Sequence, residues 1–209
     1  MKKINRIIQI LQKKYEVKIR RGEPFRVLIG CVLSQRTKDE TTDPASERLF
    51  SIADTPQKML KLPARKIAKL IYPVGFYNQK TKRIKQICRI ILQQYKGKVP
   101  SSREQLMQLP GVGAKTASIV LAYAYGRPTI AVDTHVNRLS KRLGIVAENS
   151  KPEKTQEALE KIVPKNKQIV VNHLFVTFGK NICQPRTPKC WACPIEKLCP
   201  YPNKNLNKK

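Results

Sequence analysis

Apolar residues recur along this chain at spacings of three and four, the period of a helix with one buried face. Ile4, Ile7, Ile8 and Leu11 mark a first helix, and Phe25, Leu28, Ile29 and Val32 a second, entered through Pro24, a residue suited to a first helical turn. Ile84, Ile87, Cys88 and Ile91 predict a longer helix, and Ala117, Val120, Leu121 and Ala124 another. Val136, Leu139 and Leu143 predict one closed by Gly144 as its C-terminal cap, and Val171, Leu174, Phe175 and Phe178 predict one more. Between these segments fall Pro56, Pro63, Pro73, Gly75, Gly97, Pro100, Pro128, Pro152 and Pro164, so the helices are expected to be short and tightly connected. No alternating strand pattern runs beyond a few residues, and no fixed-period repeat is present. The expected fold is all-α, followed by a basic tail, 201–209, that reads as disordered from Asn203 onward.

The 209 residues suffice for one large domain or two small ones. No run of 18 apolar residues occurs and the N-terminus lacks a signal-peptide core, so a soluble, non-exported protein of the cytoplasm or nucleoid is expected. Charge sharpens this: 42 Lys and Arg stand against 14 Asp and Glu, a formal net charge of +28. Ordinary surfaces intersperse the two signs, so a surplus of this size implies a polyanionic partner, with nucleic acid the default. The lysines are spread over the chain instead of lying along one helix face, which counts against a membrane-surface helix.

One segment offers chemistry. Leu109-Pro110-Gly111-Val112-Gly113-Ala114-Lys115-Thr116-Ala117 precedes an acid at Asp133, 18 residues beyond Lys115. Pro110 fixes its own φ and the two glycines can open their amides toward one anion, with a helix starting near Gly113. A Walker loop is excluded because Ala114 precedes the lysine, and the dinucleotide fingerprint lacks its third glycine and its strand. A glycine hairpin between two helices remains. Lys115 lies off the apolar stripe in the first turn, where the helix dipole favours anions, so it either holds a phosphate or reacts. Asp133 also suits the N-cap of the helix through Val136.

Cys183, Cys190, Cys193 and Cys199 lie within 17 residues, separated by six, two and five positions. With no export signal this density reads as a metal site and not as a disulfide framework. Zinc and iron–sulfur both accept four thiolates; one Cys-x2-Cys pair flanked by single cysteines leans toward a cluster. Cys31 and Cys88 sit on apolar faces and read as core residues. Trp191 is expected to pack over the metal, and His173 to be structural.

The hairpin, the segment Ala131-Val132-Asp133-Thr134-His135 and the cysteine spacing together resemble the endonuclease III family of DNA glycosylases, of the helix-hairpin-helix superfamily, from about Pro24 to Cys199. The resemblance implies an all-α protein of two domains with DNA in the cleft between them: a six-helix domain, 16–127, and a discontinuous domain, 1–15 with 128–200, that holds a [4Fe-4S] cluster on the four cysteines. It implies a monomer that acts on double-stranded DNA carrying a damaged base or an abasic site. Lys115 would attack C1′, expel an oxidised pyrimidine, form a Schiff base and nick the strand by β-elimination, with Asp133 activating the amine or stabilising the sugar cation. DNA would meet Gly111, Val112, Gly113 and His135, although His135 has no direct part in the chemistry. The vacated base position would be filled from two loops. Phe76 of Gly75-Phe76-Tyr77-Asn78 serves in one; in the other, Leu33-Ser34-Gln35-Arg36-Thr37, the family glutamine aligns with Arg36 while Gln35 stands one position early. Two rivals stand beside this reading. One is a monofunctional mismatch glycosylase, which Lys115 and a chain ending ten residues after Cys199 disfavour. The other is a non-enzymatic hairpin module with a structural metal, which has no need of Lys115 and Asp133.

Overall fold

A computed structural model describes residues 2–17, 19 and 21–207. Among these residues the structure is helical and has no strand: α1 (Lys2–Lys14), α2 (Pro24–Ser34), α3 (Asp39–Phe50), α4 (Pro56–Lys61), α5 (Ala64–Ile71), α6 (Tyr77–Gln94), α7 (Arg103–Met107), α8 (Ala114–Tyr123), α9 (Thr134–Arg142), α10 (Pro152–Ile162) and α11 (Lys165–Asn181), then 3₁₀ turns at Cys190–Ala192 and Glu196–Leu198. The chain divides into two compact units, Arg21–Arg127 and the discontinuous Met1–Arg20 with Pro128–Lys209.

The continuous unit is built around α2. Glu23 caps it by accepting a bond from the Phe25 amide at 2.9 Å, and Leu28, Ile29, Val32 and Leu33 are fully buried. Each such side chain contributes about 1.5–3 kcal/mol. Helices α3, α6 and α8 pack on it, and Ile84, Ile87, Cys88 and Ile91 of α6 join the same core. Described residues of this unit form seven helices, where six were expected. The short ones, α4 and α7, have only six and five residues and are nucleated locally, by Thr55 accepting from Lys58 ahead of Pro56 and by Ser102 accepting from Gln105.

In the second unit the stripe Ile4, Ile7, Ile8 and Leu11 of α1 is buried with Leu139 of α9 and Val171, Leu174, Phe175 and Phe178 of α11. Gly144 ends α9 as the sequence predicts: it takes φ +69°, its amide bonds Lys141 O, and the Ile145 amide bonds Ser140 O. These are the two bonds of a Schellman cap, which needs a left-handed residue at this position. The tail differs from expectation. The Trp191 amide bonds the Asn205 carbonyl at 3.2 Å, and Lys204 Nζ bonds Glu196 Oε1 at 2.6 Å, so Lys204 and Asn205 are tied to the cysteine segment; Lys208 and Lys209 lie outside the described residues.

Candidate active site and metal centre

The hairpin joins α7 to α8. Leu109 and Val112 are buried, and the Val112 amide donates to Leu109 O at 3.0 Å. Val112, expected among the DNA contacts, therefore offers neither side chain nor N–H to a ligand and anchors the turn instead. Gly111 has φ +74°, a conformation strained for residues with a Cβ, and the Arg83 side chain packs where that Cβ would stand. Gly113 corrects the expectation of two unusual glycines: its φ of −95° is open to any residue, and space around its Cα is empty. Both glycines are exposed, and among the described residues neither amide has an acceptor. Together with the free first-turn amides of α8 they form a donor cluster at the positive end of a helix, the usual requirement for binding phosphate. Lys115 is the second residue of α8 and is exposed. Its charge reaches Cys31, whose thiol burial raises to about 11 against the lowering effect of Lys115. Burial likewise raises Cys88 to about 12, so both thiols are inert core groups, as the sequence suggests.

Two neighbouring loops carry non-glycine residues in the left-handed region, Arg36 at φ +53° and Phe76 at φ +59°. Phe76 is 55% exposed and the Arg36 guanidinium carbon lies 6.0 Å from its ring centroid. Gln35 is committed elsewhere. Its Nε2 donates to Gly111 O at 2.9 Å, and its Oε1 accepts from Arg83 Nη1 at 3.0 Å. These side chains, with Gln79 and Lys80, line an open groove of about 540 Å³.

In the second unit, Asp133 is the N-cap of α9, its Oδ1 accepting from the Val136 amide at 2.8 Å. The segment that delivers it is clamped from behind. Glu160 Oε1 accepts from Thr129 Oγ1 at 2.7 Å and from the Ile130 amide at 3.0 Å, while Asn172 Nδ2 donates to Ala131 O at 2.7 Å. His135 Nδ1 lies 3.1 Å from Arg138 Nη2. Burial chiefly, with Arg138 and Lys180 adding to it and Asp133 and a backbone bond to Gly179 opposing, holds His135 below the ordinary imidazole value. Sequence reasoning missed Glu160, Asn172, Lys80 and Arg83, whose partners are too distant along the chain to leave a local signal.

Cys183, Cys190, Cys193 and Cys199 line one cavity together with Leu139, Phe178 and Ile195. Burial raises Cys193 to about 11, and the other three cysteines push in the same direction. Four half-buried sulfurs close enough to oppose one another's ionisation form a donor set that a cation would satisfy, and metal binding would draw off their protons. The wall supports them: Arg142 Nη1 donates to Cys183 Sγ at 3.2 Å and to Gln184 O at 2.8 Å, and Arg138 holds Cys183 O at 2.9 Å. Among the described residues no group of three or more His, Cys, Asp or Glu is arranged for a single metal ion. Trp191, 42% exposed, does not line this cavity; it lines a neighbouring groove with Cys190 and Cys193, so the expectation that it packs over the metal is not met.

Residues 29–165 match the family model described as HhH-GPD superfamily base excision DNA repair protein. Endonuclease III of Thermotoga maritima is 43% identical over 198 residues, covering 95% of this chain and 92% of that protein. The chain belongs to the endonuclease III family. Like other family members it is a DNA glycosylase/AP lyase of base excision repair. A trapped endonuclease III–DNA covalent intermediate superposes with a TM-score of 0.87 at 34% identity, over 96% of this chain and 95% of that one. A thermostable thymine-DNA glycosylase superposes equally well, at 0.88 and 29% identity over 96% of each chain. Backbone shape alone thus does not separate endonuclease III from that glycosylase; the family rests on the 43% identity to the Thermotoga protein.

Proposed function

We propose that this family member excises oxidised pyrimidines from double-stranded DNA and nicks the strand 3′ to the site, with Lys115 as nucleophile and Asp133 as its acidic partner. The observation that carries this reading is an exposed lysine in the first turn of α8, directly behind two amides without acceptors. Such amides fix a backbone phosphate, and the lysine beside them meets the deoxyribose. The free amine attacks C1′, and the C1′–N bond breaks with its electron pair leaving on the base. Asp133 offsets the positive charge that develops on the sugar. Ring opening gives the Schiff base, loss of a C2′ proton expels the 3′ phosphate, and water then releases the lysine. The existence of a covalent endonuclease III–DNA intermediate supports this route. The test is borohydride trapping on a duplex containing thymine glycol, with an abasic duplex alongside. An adduct on both is expected; excision without any adduct would mean a monofunctional glycosylase.

Reaching C1′ requires the damaged nucleotide to leave the stack. The free, left-handed Arg36 and Phe76 are the pair that fills the vacated position, whereas Gln35, bonded at both ends of its amide, is scaffold. His135, two positions after Asp133, meets the DNA. Non-specific affinity comes from phosphates, so raising salt from about 50 to 200 mM weakens binding to undamaged duplex by about 10³-fold or more. A flat response in a fluorescence-anisotropy titration would remove the polyanion as partner. The site of action is the cell's DNA, in cytoplasm or nucleoid.

A [4Fe-4S] cluster held by Cys183, Cys190, Cys193 and Cys199 is the cofactor this donor set favours. When bound it supplies a covalent framework for a segment that has only two 3₁₀ turns of regular structure. Anaerobic protein should be brown, with broad absorption near 400 nm and about four irons per chain. Colourless protein with zinc would replace the cluster by a structural ion.

A further inference from the structure

Lys80 is 3% exposed, and no carboxylate pairs with it among the described residues. A lysine so placed must account for three hydrogens without water. All three go to one loop: Nζ donates to Leu33 O at 2.7 Å, Gln35 O at 2.6 Å and Thr37 Oγ1 at 3.1 Å. Gln35 and Thr37 flank Arg36, and Thr37 Oγ1 also accepts from the Gly75 amide at 3.2 Å, immediately before Phe76. One buried ammonium therefore lies beneath both left-handed residues, whose Cβ atoms disfavour the conformation that they hold.

We propose that Lys80 is a positioning residue for base extrusion, its ammonium stapling the loop of Arg36 to the loop of Phe76 so that both side chains are aimed before DNA arrives. This rests on the reading above that Arg36 and Phe76 fill the duplex. Three donors matched to three acceptors give the staple its geometry, and Arg83 extends it, since Arg83 fixes Gln35 and Gln35 fixes Gly111. The duplex-filling loop and the phosphate hairpin are thereby joined through one chain of bonds. Burial chiefly, and then Arg83, lower the Lys80 amine to about 8, a value at which it is still protonated at neutral pH.

The test separates extrusion from chemistry. Lys80→Met keeps the length of the side chain and removes its donors. A single-stranded oligonucleotide with an abasic site has no base to extrude and no gap to fill, so borohydride trapping on it reports folding and Lys115 chemistry alone. Lys80→Met should be trapped there within about twofold of the parent, while excision of thymine glycol from duplex falls about 10- to 100-fold, the scale of a misplaced group. Thr37→Val, which removes the shared acceptor, should give a milder defect of the same selective kind. Parallel loss on both substrates in both variants would overturn the proposal and leave Lys80 merely structural. Unchanged duplex excision in Lys80→Met, with Phe76→Ala and Arg36→Ala defective, would overturn it while leaving the duplex-filling reading intact. If Phe76→Ala and Arg36→Ala also excise normally, that reading falls and this inference with it.

Discussion

Lys115→Gln is expected to abolish the borohydride-trapped adduct and to lower thymine glycol excision by at least about 10³-fold, the scale on which losing a covalent nucleophile acts. Glutamine retains much of the length and polarity of lysine but no nucleophilic amine. The side chain is exposed and off the buried stripe of α8, which runs through Ala117, Val120 and Leu121. Its removal leaves the core untouched, so helical content and thermal midpoint should be unchanged. Duplex binding should weaken only modestly, because the hairpin amides remain. An adduct that persists in Lys115→Gln would move the nucleophile elsewhere.

Asp133→Asn tests the second assignment, and the structure makes this substitution unusually discriminating. Asparagine caps helices as well as aspartate does, so the bond to the Val136 amide can be kept and the stability change should stay below about 1 kcal/mol. What disappears is the negative charge and the basic oxygen pair. Excision should fall by about 10²–10⁴-fold, the range of a positioned acid–base or charge-stabilising group, with binding to undamaged duplex spared. Comparable losses of thermal stability and activity would reduce Asp133 to a cap.

How far the sequence foretold this depends on the range of each interaction. Helices with a complete apolar stripe, such as α1, α2 and α11, were legible because burial dictates their period, and Gly144 was legible because a left-handed cap has a residue preference. The short α7 was not, since one capping serine and a five-residue helix carry too little pattern. Gly111 and Gly113 look alike in the sequence, yet only Gly111 uses its freedom, because Arg83 from α6 packs against it. Lys80 lies in a run of basic residues that reads as a wet helix face, and nothing local distinguishes it from Lys82. Likewise Gln35 and Arg36 could not be ranked until the partners of Gln35, 48 and 76 residues away, were in place. That the four cysteines share one cavity was legible because they lie within 17 residues of one another.

Helix α1 belongs to the unit that residues beyond 127 complete. On the ribosome it emerges ahead of the continuous unit, yet the surfaces that bury Ile4, Ile7, Ile8 and Leu11 are made after that unit. The segment Arg21–Arg127 has its whole core in one continuous stretch and can close as soon as α8 is out. During translation α1 therefore waits with an unburied apolar stripe while the hairpin unit folds beside it. The helix that Asp133 caps shares its core with α1 and α11, so the hairpin unit that carries Lys115 can be finished before the surroundings of Asp133 are.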